Sequence, residues 1–90
     1  MANKKKKVTF TFKPAREFKN LKLAGSFTGW EQGAIVMSKG RSGEWKAQAN
    51  LEPGEYEYKF LADGSWLNDP NADRIAPNGQ GSQNSIKVVK

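Results

Sequence analysis

One stretch of the sequence, "GEYEYKFLADGSWL" at residues 54–67, restricts the possible folds more than any other. Aromatic rings occupy every second position from 56 to 60 and alternate with charged side chains, which is the period of a strand with one buried face. Lys59 is therefore expected to point away from the core. An Asp-Gly pair then marks a tight hairpin turn, so Trp66 and Leu67 should begin a short returning strand.

Further strand patterns lie on both sides of this stretch. The predicted strands are "VTFTF" at 8–12, "LKL" at 21–23, the apolar run "AIVMSK" at 34–39, "EWKAQANL" at 44–51 and "SIKVVK" at 85–90. In the fourth of these strands, Trp45 shares one face with Ala47, Ala49 and Leu51, while polar residues occupy the other face. We therefore expect Trp45 to lie in the core.

The segments between these strands carry turn signals rather than helical patterns. Residues 68–84, "NDPNADRIAPNGQGSQN", are rich in Asn, Asp, Gly and Pro and predict one long irregular loop. Many short strands with closely spaced turns are typical of all-β domains. The sequence therefore predicts an antiparallel immunoglobulin-like β-sandwich of six to eight short strands.

The residue content restricts the function as much as the fold. Ninety residues suffice for one small domain with one core, and the chain has neither cysteine nor histidine. The "DPNAD" segment begins with the spacing of a calcium loop, but Arg74 and Gln80 stand where that motif needs Gly and Glu. With no converging nucleophile, base or metal-ligand set, we expect no enzyme, no catalytic residue, no metal and no cofactor.

The positive charge is concentrated at the N-terminus. The net charge is +6, and four of the fifteen basic residues are Lys4 to Lys7, so residues 8–90 keep eleven Lys and Arg against nine acidic residues. A disordered tail at residues 1–7 and a single domain at residues 8–90 are therefore expected. No apolar segment follows the lysines, so the sequence predicts neither export nor a membrane span, and we expect a cytoplasmic protein.

Two tryptophans do not fit the predicted core. Trp30 ends the loop "GSFTGW", and Trp66 lies next to the hairpin tip that Lys59 approaches from the entering strand. Each indole suits either a rim residue that closes the core or an exposed contact. Together they match the surface of a sugar, whose CH groups pack on aromatic planes and whose hydroxyls need hydrogen-bond partners.

Three segments together carry a family resemblance. "GSFTGW", "GEWKAQANLEPGEYEYKFLADGSWLNDPNA" and "GQGSQNSIKV" resemble the family 48 carbohydrate-binding modules. That family includes the glycogen-binding domain of the AMP-activated protein kinase β subunit and the early-set domains of isoamylase and glycogen-branching enzymes. The resemblance covers residues 8–89 and implies an early-set β-sandwich that binds α-1,4-linked glucan such as glycogen, starch or maltooligosaccharides. It also implies a glucan-metabolising enzyme or a kinase subunit as a partner.

The resemblance also implies roles for individual residues. Trp30 and Trp66 would stack on sugar rings, and Lys59 would donate to sugar hydroxyls. The other polar contacts implied are Asn84, Ser82 at a position usually held by threonine, and Gln80 at a position that is often apolar. Asn84 shares its alternation with the apolar residues of the last strand. It would therefore point inward unless that strand begins after it or contains a bulge.

Two alternatives from other functional classes stay open. The same fold also serves as a protein-interaction or regulatory domain with weak or no sugar binding. A small nucleic-acid-binding domain would instead use the Lys4–Lys7 run on phosphates and the tryptophans on bases. A salt titration distinguishes nucleic-acid binding from glucan binding, because phosphate contacts weaken steeply as ionic strength rises.

Overall fold

The computed structural model describes residues 5–79 and 81–90, which form nine strands and one single-turn 3-10 helix. The strands are β1 (Lys6–Phe12), β2 (Leu21–Gly25), β3 (Ile35–Val36), β4 (Ser38–Lys39), β5 (Trp45–Leu51), β6 (Gly54–Ala62), β7 (Ser65–Leu67), β8 (Arg74–Pro77) and β9 (Gln83–Val89). The 3-10 helix spans Trp30–Gly33. All strand pairs in this part of the chain are antiparallel.

The smaller sheet has three strands in the order β1-β5-β4. β1 pairs with β5 along its whole length, from Lys6 opposite Leu51 to Phe12 opposite Trp45. Apolar residues at alternate positions of both strands face the same side, which explains why this sheet buries one face. Trp45 is only 7% exposed, so its predicted place in the core is confirmed.

The larger sheet has the order β3-β2-β6-β9-β8, with β7 paired to the far end of β6. Tyr58 and Phe60 of β6 are almost completely buried and face the smaller sheet. There Phe60 stacks on Phe12 with ring centroids 4.5 Å apart, and Tyr58 meets Phe10 edge to face at 5.0 Å. Side chains from two sheets thus share one core, and the predicted antiparallel β-sandwich is confirmed.

Some predicted element boundaries are wrong. The run "AIVMSK" is divided between β3 and β4, which belong to different sheets, because Met37 turns into the core between them. The predicted loop at 68–84 contains β8 and the start of β9. These two differences raise the strand count above the predicted six to eight. The 3-10 helix at Trp30–Gly33 was not predicted at all.

The N-terminal strand also begins earlier than predicted. Lys6 and Lys7 were expected in the tail, yet both pair with β5. Backbone hydrogen bonding tolerates any side chain except proline, and both lysines remain exposed, so their charge does not oppose the pairing. Residues 1–4 of the predicted tail lie outside the described residues. Within residues 5–79 and 81–90, no helix has the length and apolar content needed to cross a membrane.

A buried polar cluster fixes the chain between β7 and β8. The Tyr58 hydroxyl donates to Asp69 Oδ2 at 2.7 Å, and the Asp69 N–H donates to Ser85 Oγ at 2.8 Å. Asp69 Oδ1 accepts the Asn71 N–H at 2.9 Å, which closes a tight turn. Asp69 of the "DPNAD" segment therefore ties this turn to β6 and β9.

Candidate functional site

A concave pocket lies on the outer face of the larger sheet, opposite the core. Its volume is about 560 Å³, and it is lined by Trp30, Glu31, Glu57, Lys59, Trp66, Asn78 and Asn84. Four of the six predicted site residues thus surround one cavity. The pocket is built on three neighbouring strands of the sheet, β7, β6 and β9, and closed by the segment that carries Trp30.

The turn after β2 holds Trp30 over this face. Gly25 lies so close to β6 that a Cβ at this position would come within 2.4 Å of the Glu57 carbonyl oxygen. Thr28 Oγ1 accepts the Gly25 N–H at 3.0 Å and lies 2.8 Å from the Trp30 carbonyl oxygen, to which it donates. Gly29 and Trp30 then have φ values of 73° and 63°, a left-handed pair that is rare for a bulky side chain. The backbone is therefore strained at Trp30.

Trp66 lines the pocket next to Trp30. It lies on β7 directly across from Leu61 of β6, on the outer face, and it is 42% exposed. The two indole rings of Trp30 and Trp66 are 6.5 Å apart at an interplanar angle of 75°. Trp30 is itself half-buried. Both tryptophans therefore border the pocket rather than the core cluster, and they contact each other edge to face.

Lys59 lies on β6 with its side chain on the outer face, so this prediction is confirmed. Its Nζ donates to Ser82 Oγ at 3.0 Å, across the gap between β6 and the segment before β9. Ser82 belongs to the wall of a second cavity of about 720 Å³, beside Asn68 and Gln83. Ser82 is therefore linked to the first pocket through Lys59. Gln80 lies outside the described residues.

Asn84 reaches the pocket from β9, and its predicted orientation was wrong. It does share a face with Ile86, which pairs with Glu57, but that face is the outer one. The core face of β9 is formed by Ser85, Lys87 and Val89. Neither a late start nor a bulge is needed, because the strand runs straight from Gln83. The apolar residues misled the prediction because strand neighbours cover this part of the outer face.

The amide of Asn84 has a fixed orientation. Its Nδ2 donates to Glu57 Oε1 at 2.7 Å, and its Oδ1 accepts from Asn78 Nδ2 at 3.4 Å. Asn84 is 5% exposed, and both neighbours line the same pocket. These two hydrogen bonds keep the amide from rotating, so its remaining donor and acceptor sites point in defined directions.

Sequence reasoning missed three pocket residues: Glu31, Glu57 and Asn78. The sequence could have placed Glu57 on the pocket side, because Glu57 is two positions before Lys59 and therefore lies on the same face of β6. Glu31 follows Trp30 in the unpredicted 3-10 helix, and Asn78 belongs to the segment predicted as an irregular loop. Neither has a pattern in the sequence that would reveal its place.

The pocket combines two angled aromatic walls with a floor of hydrogen-bonding groups. Lys59 and Asn84 supply donors, and Glu57 and Glu31 supply carboxylate acceptors. Within the described residues, no group of three or more His, Cys, Asp or Glu side chains is close enough to hold a metal ion. The chemistry of this lining suits a neutral, hydroxyl-rich ligand with flat apolar faces.

Comparison with known families agrees with this geometry. The family model described as the glycogen recognition site of AMP-activated protein kinase matches residues 7–90. The chain belongs to this family. Its resemblance to the family 48 carbohydrate-binding modules, inferred above from three segments, is thereby confirmed. The glycogen recognition family consists of carbohydrate-binding modules, which bind their ligand rather than transform it.

Curated relatives of this glycogen recognition domain are longer proteins. This chain is 40% identical over 67 residues to protein FLOURY ENDOSPERM 6, chloroplastic, of Oryza sativa subsp. japonica, and the alignment covers 74% of this chain and 12% of that protein. It is 35% identical over 72 residues to 5'-AMP-activated protein kinase subunit beta-1 of Sus scrofa, covering 80% of this chain and 56% of that sequence. Protein PTST homolog 2, chloroplastic, of Arabidopsis thaliana is 34% identical over 67 residues, with 74% and 12% covered. The chain thus spans about an eighth of the two plant relatives.

Proposed function

We propose that this chain binds α-1,4-linked glucan, such as glycogen, starch or maltooligosaccharides, without transforming it. The observation that carries the proposal is the pair of indoles, Trp30 and Trp66, beside Lys59 and Asn84 in one pocket. Sugar CH faces would pack on the indole planes, and sugar hydroxyls would bond to the polar floor. Ser82, which accepts from Lys59, and Gln80 complete the proposed set of contacts.

The angle between the indoles supports an α-linked ligand over a β-linked one. Successive glucose units of an α-1,4 chain turn in one direction, so the chain curves and its ring faces change orientation. A β-1,4 chain is instead an extended ribbon, which suits aromatic rings that lie in one plane. The interplanar angle of 75° between Trp30 and Trp66 matches the curved chain.

The expected affinity is modest. An open pocket of about 560 Å³ accommodates a few glucose units, and water competes for each hydroxyl. Burial of sugar CH groups contributes roughly 25 cal/mol per Å², whereas the hydrogen bonds mainly fix orientation. We therefore expect Kd values between about 1 μM and 1 mM for maltoheptaose, or roughly −8 to −4 kcal/mol. Long glucans offer several binding segments and should bind more tightly through multiple contacts.

An NMR titration with maltoheptaose or β-cyclodextrin tests the proposal. We expect chemical-shift changes at the indole N–H groups of Trp30 and Trp66 and at the Asn84 amide, with no change at the buried Trp45 indole. Cellohexaose, which has the same monomer in β-1,4 linkage, is the matched control ligand and should bind at least about tenfold more weakly. No response to millimolar maltoheptaose, or an equal response to cellohexaose, would contradict the proposal.

The relatives support a role for the domain as a targeting module within a larger assembly. One relative is named as a kinase subunit, and the chain covers about half or less of each relative described above. We therefore propose a kinase subunit or a glucan-metabolising enzyme as the partner class. Co-purification of such an enzyme with the domain on glycogen, and its release by free maltoheptaose, is the expected result. Capture that does not depend on glucan would instead favour a protein-interaction domain.

A further inference from the structure

Glu57 lines the pocket and connects two of the segments that form it. Its side chain accepts from Asn84 Nδ2 at 2.7 Å. Its backbone N–H donates to Ser26 Oγ at 3.2 Å, and its carbonyl oxygen accepts the Ser26 N–H at 2.8 Å. Ser26 belongs to the turn that ends at Trp30. Glu57 therefore links the strand that carries Asn84 to the turn that carries an indole wall.

Within residues 5–79 and 81–90, the charge of Glu57 is not compensated by an ion pair. Among the described residues, the ion pairs are Lys39 with Glu17, Lys46 with Glu44, and Arg74 with Glu55. The pocket lining contains two carboxylates, Glu31 and Glu57, and one cation, Lys59. The pocket thus carries an excess of one negative charge on a chain whose net charge is +6. A binding pocket whose lining carries a net negative charge is suited to distinguish ligands by their charge.

We propose that Glu57 makes this site selective for neutral glucan and against phosphorylated glucan. This inference rests on the proposed function. A carboxylate accepts hydrogen bonds from sugar hydroxyls, which are neutral donors. A phosphate ester carries close to two negative charges near pH 7 and has no strong donor to offer in return. Glu57 and Glu31 therefore repel the approaching phosphate group. Lys59, whose Nζ donates to Ser82, offsets this repulsion only in part because it contributes a single positive charge.

The test compares maltoheptaose with maltoheptaose that carries one phosphate ester, by calorimetry at roughly 20 mM and 200 mM salt. We expect the wild-type chain to bind the neutral sugar at least about threefold more tightly at low salt, and high salt to reduce this ratio. Glu57→Gln retains a carbonyl oxygen for the Asn84 amide and removes the charge. In this variant the affinity for maltoheptaose should fall, because a charged acceptor becomes a neutral one, whereas the ratio of the two affinities should fall towards one.

Glu52→Gln is the matched control, because it removes the same charge from the exposed turn between β5 and β6, outside the pocket. It should leave the ratio unchanged. Equal wild-type binding of both sugars, or a ratio that Glu57→Gln does not change, would overturn this inference and leave glucan binding intact. Failure of the wild-type chain to bind maltoheptaose would instead overturn the proposed function. The wild-type comparison decides even if a variant does not fold.

Discussion

The three tryptophans differ in how deeply they are buried. Substituting each of them should therefore distinguish residues that bind glucan from residues that stabilise the fold. Trp45 is 7% exposed inside the sandwich, whereas Trp66 is 42% exposed and Trp30 is half-buried beside it. Trp30→Ala and Trp66→Ala should each weaken maltoheptaose binding about tenfold or more, because each removes a stacking surface. Their cost in unfolding free energy should stay near 1 kcal/mol, the value of an aromatic contact.

Trp45→Ala should mainly reduce stability, in contrast to the two pocket substitutions. It leaves a large cavity in the core, so it should lower the unfolding free energy by about 3–5 kcal/mol. Calorimetric titration and urea denaturation of the three variants measure both quantities. A sharp stability loss with intact glucan binding in Trp30→Ala would show that its indole is a core lid instead.

Tyr58 should make stability depend on alkaline pH. Burial, followed by the hydrogen bond to Asp69, raises the pKa of its hydroxyl above the ordinary value of about 10. The folded state therefore favours the neutral phenol. This stabilisation is fully present below about pH 10 and is lost as the pH rises above that value towards the folded-state pKa, because the unfolded chain ionises first.

Urea denaturation between pH 8 and pH 11 checks this expectation, with Tyr58→Phe as the comparison. The phenylalanine keeps the ring contact with Phe10 but leaves Oδ2 of the buried Asp69 carboxylate without the Tyr58 donor, which should cost about 1–3 kcal/mol at pH 8. The difference between the two proteins should then shrink as the pH rises above 10. A constant difference across this range would show that Tyr58 ionisation does not contribute.

Among the elements, the turn from Gly25 to Trp30 should control the site through one hydroxyl. Thr28 Oγ1 contacts both the Gly25 N–H and the Trp30 carbonyl oxygen, so it spans the left-handed segment. Thr28→Val keeps the shape and removes the hydroxyl. We expect a stability loss of about 1–2 kcal/mol and a several-fold loss of maltoheptaose affinity, because the Trp30 indole is no longer held in place.

Thr28→Ser is the matched control, since it retains the hydroxyl and loses a methyl group. It should bind maltoheptaose within about twofold of the wild-type chain. Calorimetry measures affinity, and the indole N–H signal of Trp30 in NMR spectra reports its environment. Wild-type affinity in Thr28→Val, despite the expected stability loss, would mean that the turn stabilises the fold without positioning the indole.

The same elements show how far the sequence could be interpreted. Strict alternation identified β5 and β6, and it assigned Trp45 and Lys59 to their correct faces, because side-chain direction in a strand follows position parity. It failed for Asn84, since Ile86 is buried on the outer face by neighbouring strands. The run that contains Met37 was divided because tertiary packing, not local pattern, decides which sheet each half joins. Residues such as Asn78 come together by long-range pairing, which leaves no local signal.

At the scale of the molecule, the described N-terminal lysines Lys6 and Lys7 and the pocket belong to different sheets. Lys6 and Lys7 are the first residues of β1 in the smaller sheet, whereas the pocket lies on the outer face of the larger sheet. The net charge of +6 therefore says little about the ligand. Nucleic-acid binding would need the lysines and the indoles on one continuous surface, whereas Lys6 and Lys7 lie in the smaller sheet and both indoles line the pocket of the larger sheet.

Replacement of Lys4 to Lys7 by glutamine tests this separation directly, because it removes four positive charges and lowers the net charge from +6 to +2. Maltoheptaose affinity should stay within about twofold, and a rise in salt from roughly 50 to 200 mM should have a similarly small effect, since no phosphate contacts contribute. Calorimetry with the neutral sugar measures both changes. A single-stranded oligonucleotide serves as the contrasting ligand. If that ligand binds at 200 mM salt with micromolar affinity and loses it in the glutamine variant, the lysine run and the indoles act on nucleic acid, and the assignment of the pocket to glucan alone is wrong.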